Sequence, residues 1–511
     1  MNKPVLNPQS STPALGAGAS VLNQQFTLLA LLLASFALRL HALLQLPGFV
    51  DEGNHLLWAV EVWQGRIIFP FSTAKPLEIF YLAVLMPFRA PLWVGRFGSV
   101  LASVVTMAGL WALARRWGDG RAGMWAVAFY TLMPWTFFHE RTAVADPLLA
   151  ANVVLLAWAV AAWAGEQRKN KEIRHWRLEL LLTACLFALP LIKLSAASFA
   201  ALPVVIVALR NRAALRRLWL PYLIAICAVA AILFPAALRY DVFGEITLRA
   251  SAGQKIGWVD STLRNLGDLF QWSAAYLGWV ALLILLGAFV SAARRSRVGM
   301  IALAGCLLGV SYIVFPSTAF PRYYLPALAF ASLLAAEAAQ SVLRLFGVRW
   351  LRWSAGAAIL FAIALPFAVF ALQAYHNPAG LRLAEVDRAQ HVTDWSSGYG
   401  IREAAAFASE MSYREPQPIV YAGDLSTRVV AWLYWPPDSP GQLYTLWDGF
   451  APDVIRIVAS GRPTYLIVDA TRGVADFTGL TINPHEIARF ERPPGGAPVV
   501  VYRLANEPYQ P

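Results

Sequence analysis

The chain has 511 residues, 58% of them hydrophobic and only 14% charged, with 42 Lys and Arg against 30 Asp and Glu for a formal charge of +12. Apolar runs near the ~20 residues that cross about 30 Å of hydrocarbon recur along it, which excludes an ordinary soluble enzyme and predicts an α-helical polytopic membrane protein. Cys185, Cys227 and Cys306 stand apart inside apolar segments, so neither a disulfide framework nor a zinc site is implied.

In chain order, residues 1–24 read as a cytoplasmic tail and Phe26 to about Leu46 as a retained membrane anchor, since no small-residue cleavage site follows it. A loop over 48–91 comes next. It opens with Gly48-Phe-Val-Asp-Glu-Gly-Asn-His55 and contains two short amphipathic stretches, 54–64 and Lys75 to Pro87, both predicted to lie along the outer face. Further spans are predicted near 92–114, 121–138, 146–164, 178–192, 194–209, 218–238, 272–292, 298–315, 321–343 and 353–373, eleven in all with the first. Residues 241–271 suggest another interfacial helix. Lys and Arg in short loops stay cytoplasmic. The loops around Arg115, Arg168, Arg216, Arg294 and Arg349 hold 18 basic residues against the three acids Asp119, Glu166 and Glu172, which puts the N-terminus inside and the C-terminus outside. The positive excess is therefore mostly topology and calls for no nucleic-acid partner. Residues 25–374 form the predicted transmembrane module. From 375 to 511 the composition shifts to 15 acids, 11 Arg and no Lys, with strand-like runs Ile419-Val-Tyr-Ala, Tyr465-Leu-Ile-Val-Asp and Val499-Val-Val-Tyr-Arg and an amphipathic helix from Ile401 to about Met411. A small external α/β domain is expected there.

With that topology, polar groups gather on the outer face. Asp51 and Glu52 follow span 1, and Lys75 and Glu78 lie later in the same loop. Glu140, Arg141 and Asp146 sit between spans 3 and 4, Lys193 interrupts the outer end of the hairpin of spans 5 and 6, and Arg322 opens span 10 in Pro321-Arg-Tyr-Tyr-Leu-Pro326. Charge held at a membrane surface is costly, so acids and bases converging there suit chemistry on an anionic, lipid-linked substrate. Each group also has a structural alternative: Asp51 and Glu52 as caps of the helix starting near Asn54, Arg141 and Asp146 as a pair across a loop, Lys193 as a snorkelling side chain, and Arg322 with Tyr323 and Tyr324 as an interfacial anchor. His41 and His55 read as structural.

The order Asp-Glu-Gly after helix 1, Lys-Pro later in that loop, Arg-x4-Asp-Pro after helix 3, a Lys in the helix 5/6 hairpin and Arg-Tyr-x-Leu-Pro late in the chain resembles GT-C glycosyltransferases. The family-39-type protein mannosyltransferases and the aminoarabinose–lipid A transferases are most alike, over about residues 25–345, and Trp395-Ser-Ser-Gly-Tyr-Gly-Ile-Arg-Glu403 is similar to bacterial members. Many relatives carry a double proline after the lysine, where this chain has Lys75-Pro76-Leu77-Glu78. The resemblance implies inverting transfer of a sugar from a polyprenyl-phosphate carrier to a glycan, lipid or protein acceptor at the outer face of the cell membrane. It casts Asp51 as general base, with Glu52 and Asp146 orienting the acceptor or, with Glu78, holding a divalent ion. Lys75, Arg141, Lys193 and Arg322 with Tyr323 become the phosphate-binding set. A transporter or lipid-linked-glycan flippase is the competing class; the chain lacks the paired halves such proteins commonly show.

Overall fold

The computed structural model describes residues 15–73, 75–117, 119–169, 176–239, 257–311, 319–415, 418–445, 457–458, 460–472 and 482–505. Helices α1 (Leu15–Leu40), α2 (Val50–Trp63), α3 (Pro76–Val84), α4 (Pro91–Arg115), α5 (Gly120–Leu132), α6 (Pro134–His139) and α7 (Ala145–Lys169) follow one another through the first third of the chain. Their ends obey local chemistry. Pro76, Pro91 and Pro134 take first-turn positions where the missing N–H costs nothing. Asp119 caps α5 by accepting the Ala122 N–H at 2.8 Å. Arg39 and Arg115 close the last turns of α1 and α4, against the negative end of the helix dipole.

The middle of the chain supplies α8 (Trp176–Ile192), α9 (Leu202–Arg210), α10 (Trp219–Arg239), α11 (Trp258–Tyr276), α12 (Val280–Arg294), α13 (Arg297–Val310), α14 (Leu325–Leu345) and α15 (Arg349–His376). Each predicted apolar stretch falls on helix among the described residues, but the spans are fewer by length and composition than eleven. Five among the described residues qualify: Pro91–Arg115, Ala145–Gln167, Arg212–Pro235, Pro321–Leu345 and Arg349–His376. Val259–Tyr276 and Val280–Arg294, bent by 116° at their junction, make a sixth if they form one broken span. Proline explains one of the differences: the stretch 121–138 breaks at Met133, because Pro134 cannot continue α5. Of the predicted interfacial helix 241–271, residues 241–256 lie outside the described residues, and the remainder belongs to α11. Helices α7 and α14 are the most enclosed, and Val153, Val154, Leu156, Phe330, Leu333 and Ala336 pack at the centre of the main apolar core.

After α15 come a short helix α16 (Glu385–Arg388), a π-helical turn over Ala389–Thr393, and α17 (Ile401–Arg414). A five-stranded sheet follows, in the order β2-β1-β3-β5-β4, built from β1 (Ile419–Ala422), β2 (Gln442–Thr445), β3 (Thr464–Asp469), β4 (Asn483–Phe490) and β5 (Val499–Ala505), with α18 (Leu425–Trp432) after β1. Strand β1 pairs in parallel with β2 and β3, while β5 runs antiparallel to β3 and β4. The three apolar runs seen in the sequence are β1, β3 and β5. Strands β2 and β4 mix exposed with half-buried residues and carry no such run.

This domain is fastened to α2. Val50 joins the core of Ile401, Ala404 and Val429, and Leu433 joins that of Leu56, Ile79 and Leu92. Gly53 permits the approach, since a Cβ there would lie 2.7 Å from the Val429 carbonyl oxygen. The Val50 N–H donates to Ser396 O at 3.0 Å and the Gly48 N–H to the Tyr434 hydroxyl at 2.5 Å.

Candidate active site

Asp51 and Glu52 occupy the first turn of α2 and have opposite fates. Glu52 is fully buried. Its carboxylate takes Nε and Nη2 of Arg96 at 2.8 Å each, the Ala143 N–H at 2.8 Å, and the Phe49 N–H at 3.2 Å, the last being the reach-back contact of a helix cap. Arg96 in turn donates to the carbonyls of Leu43 and Leu46 at 2.8 Å. The pair thus ties the end of the first helical region, α2, α4 and the loop before α7 into one knot. Breaking a buried ion pair on one side leaves an uncompensated charge at roughly 3–5 kcal/mol. Arg96→Leu should therefore depress the thermal unfolding midpoint strongly, and the double variant Glu52→Leu/Arg96→Leu should recover part of the loss. Equal midpoints for the single variant and the parent would overturn this reading of the knot.

Asp51 stays about one-third exposed, 37% at the side chain, and accepts from Nη2 of Arg322 at 2.8 Å. Arg322 also donates to Oε1 of Gln390 at 2.6 Å, lies 3.8 Å from Oδ2 of Asp146, and stands over the Phe320 ring at 4.5 Å. Asp146, in the first turn of α7, takes Nζ of Lys193 at 2.6 Å, and that ammonium sits 3.3 Å from the centre of the Tyr323 ring. Lys75 precedes Pro76 at the start of α3 and meets Nε2 of His55 at 2.9 Å, while Nδ1 of His55 lies 2.8 Å from Oε1 of Glu78. An ammonium can only donate, so Nε2 accepts and the ring proton sits on Nδ1, facing Glu78.

These groups act on one another. Burial pushes the Asp51 carboxyl up, but the charges of Arg322, foremost, and Lys75 hold it below the usual carboxylate range. Burial brings Lys193 down to about 8, opposed by Asp146 and reinforced by Lys75 and Arg322. Three cations therefore share one space with Asp51 and Asp146.

Arg141 lies apart from that space. It donates to the carbonyls of Arg39 at 3.1 Å and of His41 and Ala42 at 2.8 Å, and its guanidinium stands over the rings of Phe137 and Tyr375. Its donors satisfy the C-terminal end of α1. Glu140 pairs with Arg39 at 2.7 Å and takes the Tyr130 hydroxyl at 2.6 Å.

The structure adds residues that had no part in the site as read from the sequence, among them His55, read there as structural. His55 links Lys75 to Glu78. Gln390 holds Arg322 from the π-helical turn, a distortion frequent at functional sites. His391 packs its ring on Phe49 at 4.3 Å, and Asp387 behind it takes the Tyr276 hydroxyl and lies 3.2 Å from Nε2 of His139. An Arg inside an apolar span was the available signal for Arg96; Gln390 and His391 had none.

Residues 75–238 match the family model described as dolichyl-phosphate-mannose-protein mannosyltransferase. No curated protein matches the chain in sequence. Among solved structures, ArnT from Cupriavidus metallidurans in the apo state superposes with a TM-score of 0.61 at 14% identity, covering 96% of this chain and 98% of that one. The same protein bound to undecaprenyl phosphate gives 0.57 with the same identity and coverage. The Archaeoglobus fulgidus oligosaccharyltransferase in the apo form gives 0.50 at 12% identity, over 87% of this chain and 69% of that one. The chain has a GT-C fold.

Within this GT-C fold the family match takes in Lys75, Glu78, Arg141, Asp146 and Lys193, while Asp51, Glu52 and Arg322 fall outside it. The divalent ion suggested for Glu52, Asp146 and Glu78 finds no prepared set of ligands. Among the described residues no three His, Cys, Asp or Glu side chains gather as metal ligands. Glu52 is saturated by Arg96 and backbone, and Asp146 is engaged by Lys193 and Arg322.

Proposed function

We propose that the chain transfers a sugar from a polyprenyl-phosphate carrier to an acceptor hydroxyl at the outer membrane face, with inversion. One observation carries this reading: the carboxylates Asp51 and Asp146 share one space with the cations Lys75, Lys193 and Arg322. An apolar cavity of about 300 Å³ is walled by Trp135, Leu269, Phe270, Ile284, Val310 and Tyr324, and Tyr324 follows Arg322 by two positions in the chain. A cluster of cations suits a phosphate, and carbon walls suit a prenyl tail. The Cupriavidus ArnT, which shares the fold, is known bound to undecaprenyl phosphate.

In this reading Asp51 accepts the proton of the acceptor hydroxyl, whose oxygen attacks the anomeric carbon from the face opposite the phosphate. The bond from that carbon to the phosphate oxygen breaks, and the electron pair leaves with polyprenyl phosphate. Lys75, Lys193 and Arg322 neutralise the charge that develops on the departing phosphate. Asp146 sets the positions of Lys193 and Arg322, Tyr323 supports the Lys193 ammonium, and Glu52 builds the turn that presents Asp51. Arg141 serves the scaffold. The C-terminal domain lies on the outer side, above the carrier.

The direct test is transfer of a radiolabelled sugar from a panel of undecaprenyl-phosphate sugars into membranes containing the protein. Transfer from at least one donor is expected, and vesicle-to-vesicle movement of donor without transfer would favour a flippase instead. Two finer results should follow. Lys193 loses its proton as pH rises through about 8, so affinity for undecaprenyl phosphate should fall between pH 7 and 9. Lys193→Arg, charged throughout, should remove that alkaline loss; an unchanged pH profile in the variant would sink the assignment. His55→Ala should weaken carrier binding roughly tenfold, the scale of one charge-assisted hydrogen bond, and His55→Gln, which keeps an acceptor for Lys75, should restore part of it. Equal weakening in both variants would mean that His55 does not position the lysine.

A further inference from the structure

A second cavity, about 580 Å³, opens where the C-terminal domain meets the connection between α3 and α4. Phe88 and Arg89 form one wall; Tyr434, Trp435, Gln442 and Tyr444 form the other. We propose that this groove binds a saccharide, the sugar portion of the acceptor; the assignment to the acceptor rests on the transfer reading above.

The chemistry of the walls points to that ligand class. Flat aromatic faces present apolar area with polar edges, suited to the C–H faces of a pyranose ring. The Arg89 guanidinium and the Gln442 amide N–H groups supply donors for hydroxyl groups, while the Gln442 carbonyl accepts the Tyr444 hydroxyl at 2.6 Å. The volume lies within the ~300–1,000 Å³ of small-ligand sites. The contrast with the cavity beside Tyr324 is informative, because that one is walled almost wholly by carbon and suits a lipid tail, whereas this one mixes rings with hydrogen-bonding groups. Phe88 is 41% exposed and Tyr444 44%, so both rings offer surface.

The groove is also wired to the reacting corner. The Tyr434 hydroxyl accepts the Gly48 N–H at 2.5 Å, three residues before Asp51. Val60, a further lining residue, follows Asp51 by nine positions on α2, about 13 Å at the helical rise. An oligosaccharide lying along α2 would be held by rings at one end and offer a hydroxyl to Asp51 at the other. Binding energy gathered remotely in this way can be used to orient the reacting group.

The test uses the full-length protein in nanodiscs, a panel of defined trisaccharides of neutral hexoses, N-acetylhexosamines and uronic acids, a Ser/Thr-rich decapeptide, and undecaprenyl phosphate as a separate probe. Saturation-transfer NMR is expected to show at least one trisaccharide bound. Phe88→Ala and Tyr444→Ala, both truncations of exposed rings, should each weaken it at least tenfold while leaving undecaprenyl phosphate affinity within twofold of the parent. Equal unfolding midpoints serve as the check on folding. Binding of no trisaccharide, equal binding by parent and both variants, or capture of the peptide in place of every sugar would overturn the proposal. The carrier arm separates the two readings: loss of undecaprenyl phosphate binding in the parent strikes the transfer reading, and with it the acceptor assignment but not the saccharide site, whereas loss of trisaccharide binding strikes the groove alone.

Discussion

Replacing Asp51 by Asn should lower the rate of sugar transfer by roughly 10²–10⁴-fold, the usual contribution of a general base, while carrier binding holds or tightens. The two halves of that expectation come from one contact. Asp51 supplies the site's partly exposed carboxylate and shares Arg322 through a 2.8 Å pair. An amide at position 51 cannot take the acceptor proton, yet it also ceases to compete with a phosphate for the guanidinium. Single-turnover transfer from a radiolabelled undecaprenyl-phosphate sugar, with binding of undecaprenyl phosphate measured in parallel, separates the effects. Undiminished turnover at equal expression would remove Asp51 from its role; a parallel collapse of carrier binding would instead mean that the substitution had disturbed the fold.

Arg322→Gln carries the second large effect, and it has two readouts. A lost charge-assisted hydrogen bond is worth about 1.5–3 kcal/mol, so carrier affinity should fall between about tenfold and 150-fold. The pH profile should move as well. Burial raises the Asp51 pKa, and Arg322 is the foremost of the charges that bring it below the ordinary value. In the parent, Asp51 accordingly keeps its charge to lower pH than a free carboxylate, and activity should persist into acid until pH falls through that lowered value. Without the guanidinium, desolvation is less opposed, the pKa rises, and the acid limb of kcat/KM should shift to higher pH. The linked stability follows the same sign: the contribution of the ionised Asp51 is present above its unfolded pKa and lost as pH falls through the folded one. An acid limb that stays in place in Arg322→Gln would mean that the pair does not set the state of Asp51.

Much of the architecture could be read from the sequence because membranes impose coarse rules. Apolar length and the placement of Arg located the helices from α4 to α15, and the shift to an Arg-bearing, Lys-free composition marked the domain with the sheet. The rules failed where local chemistry overrides length. Pro134 ends α5 early, and the sharp turn between α11 and α12 lies in a stretch that hydropathy reads as continuous. Strands β2 and β4 escaped because half-buried edge strands need few apolar residues.

The site divides in the same way. Lys75, Lys193 and Arg322 could be found because a charge at the end of an apolar segment is conspicuous. Glu52 and Asp51, adjacent in sequence, could not be told apart, because the difference between them is made by Arg96, 44 residues on, and Arg322, 271 residues on. Arg141 looked like its neighbours in the list of cations, and only the carbonyls at the end of α1 show where its donors go. Gln390 is uncharged and lies past the last span, so nothing in its neighbourhood marks it.

The fastening of α2 has a practical consequence for anyone wishing to divide the protein. The turn bearing Asp51 is held from the far side by Ser396 and Tyr434, and Arg322 is held by Gln390, all contributed by chain beyond α15. Glycine at 398 lets that chain pass against the Gly48 carbonyl, where a Cβ would collide. A membrane module cut after residue 376 would keep Lys75, Lys193 and Arg322 and lose the groups that hold Arg322 and the Asp51 turn. Chimeras that exchange the C-terminal domain between distant relatives therefore need their junction before Glu385, so that the helical turns, the glycine and the tyrosine travel together with a matching Gly48–Asp51 loop.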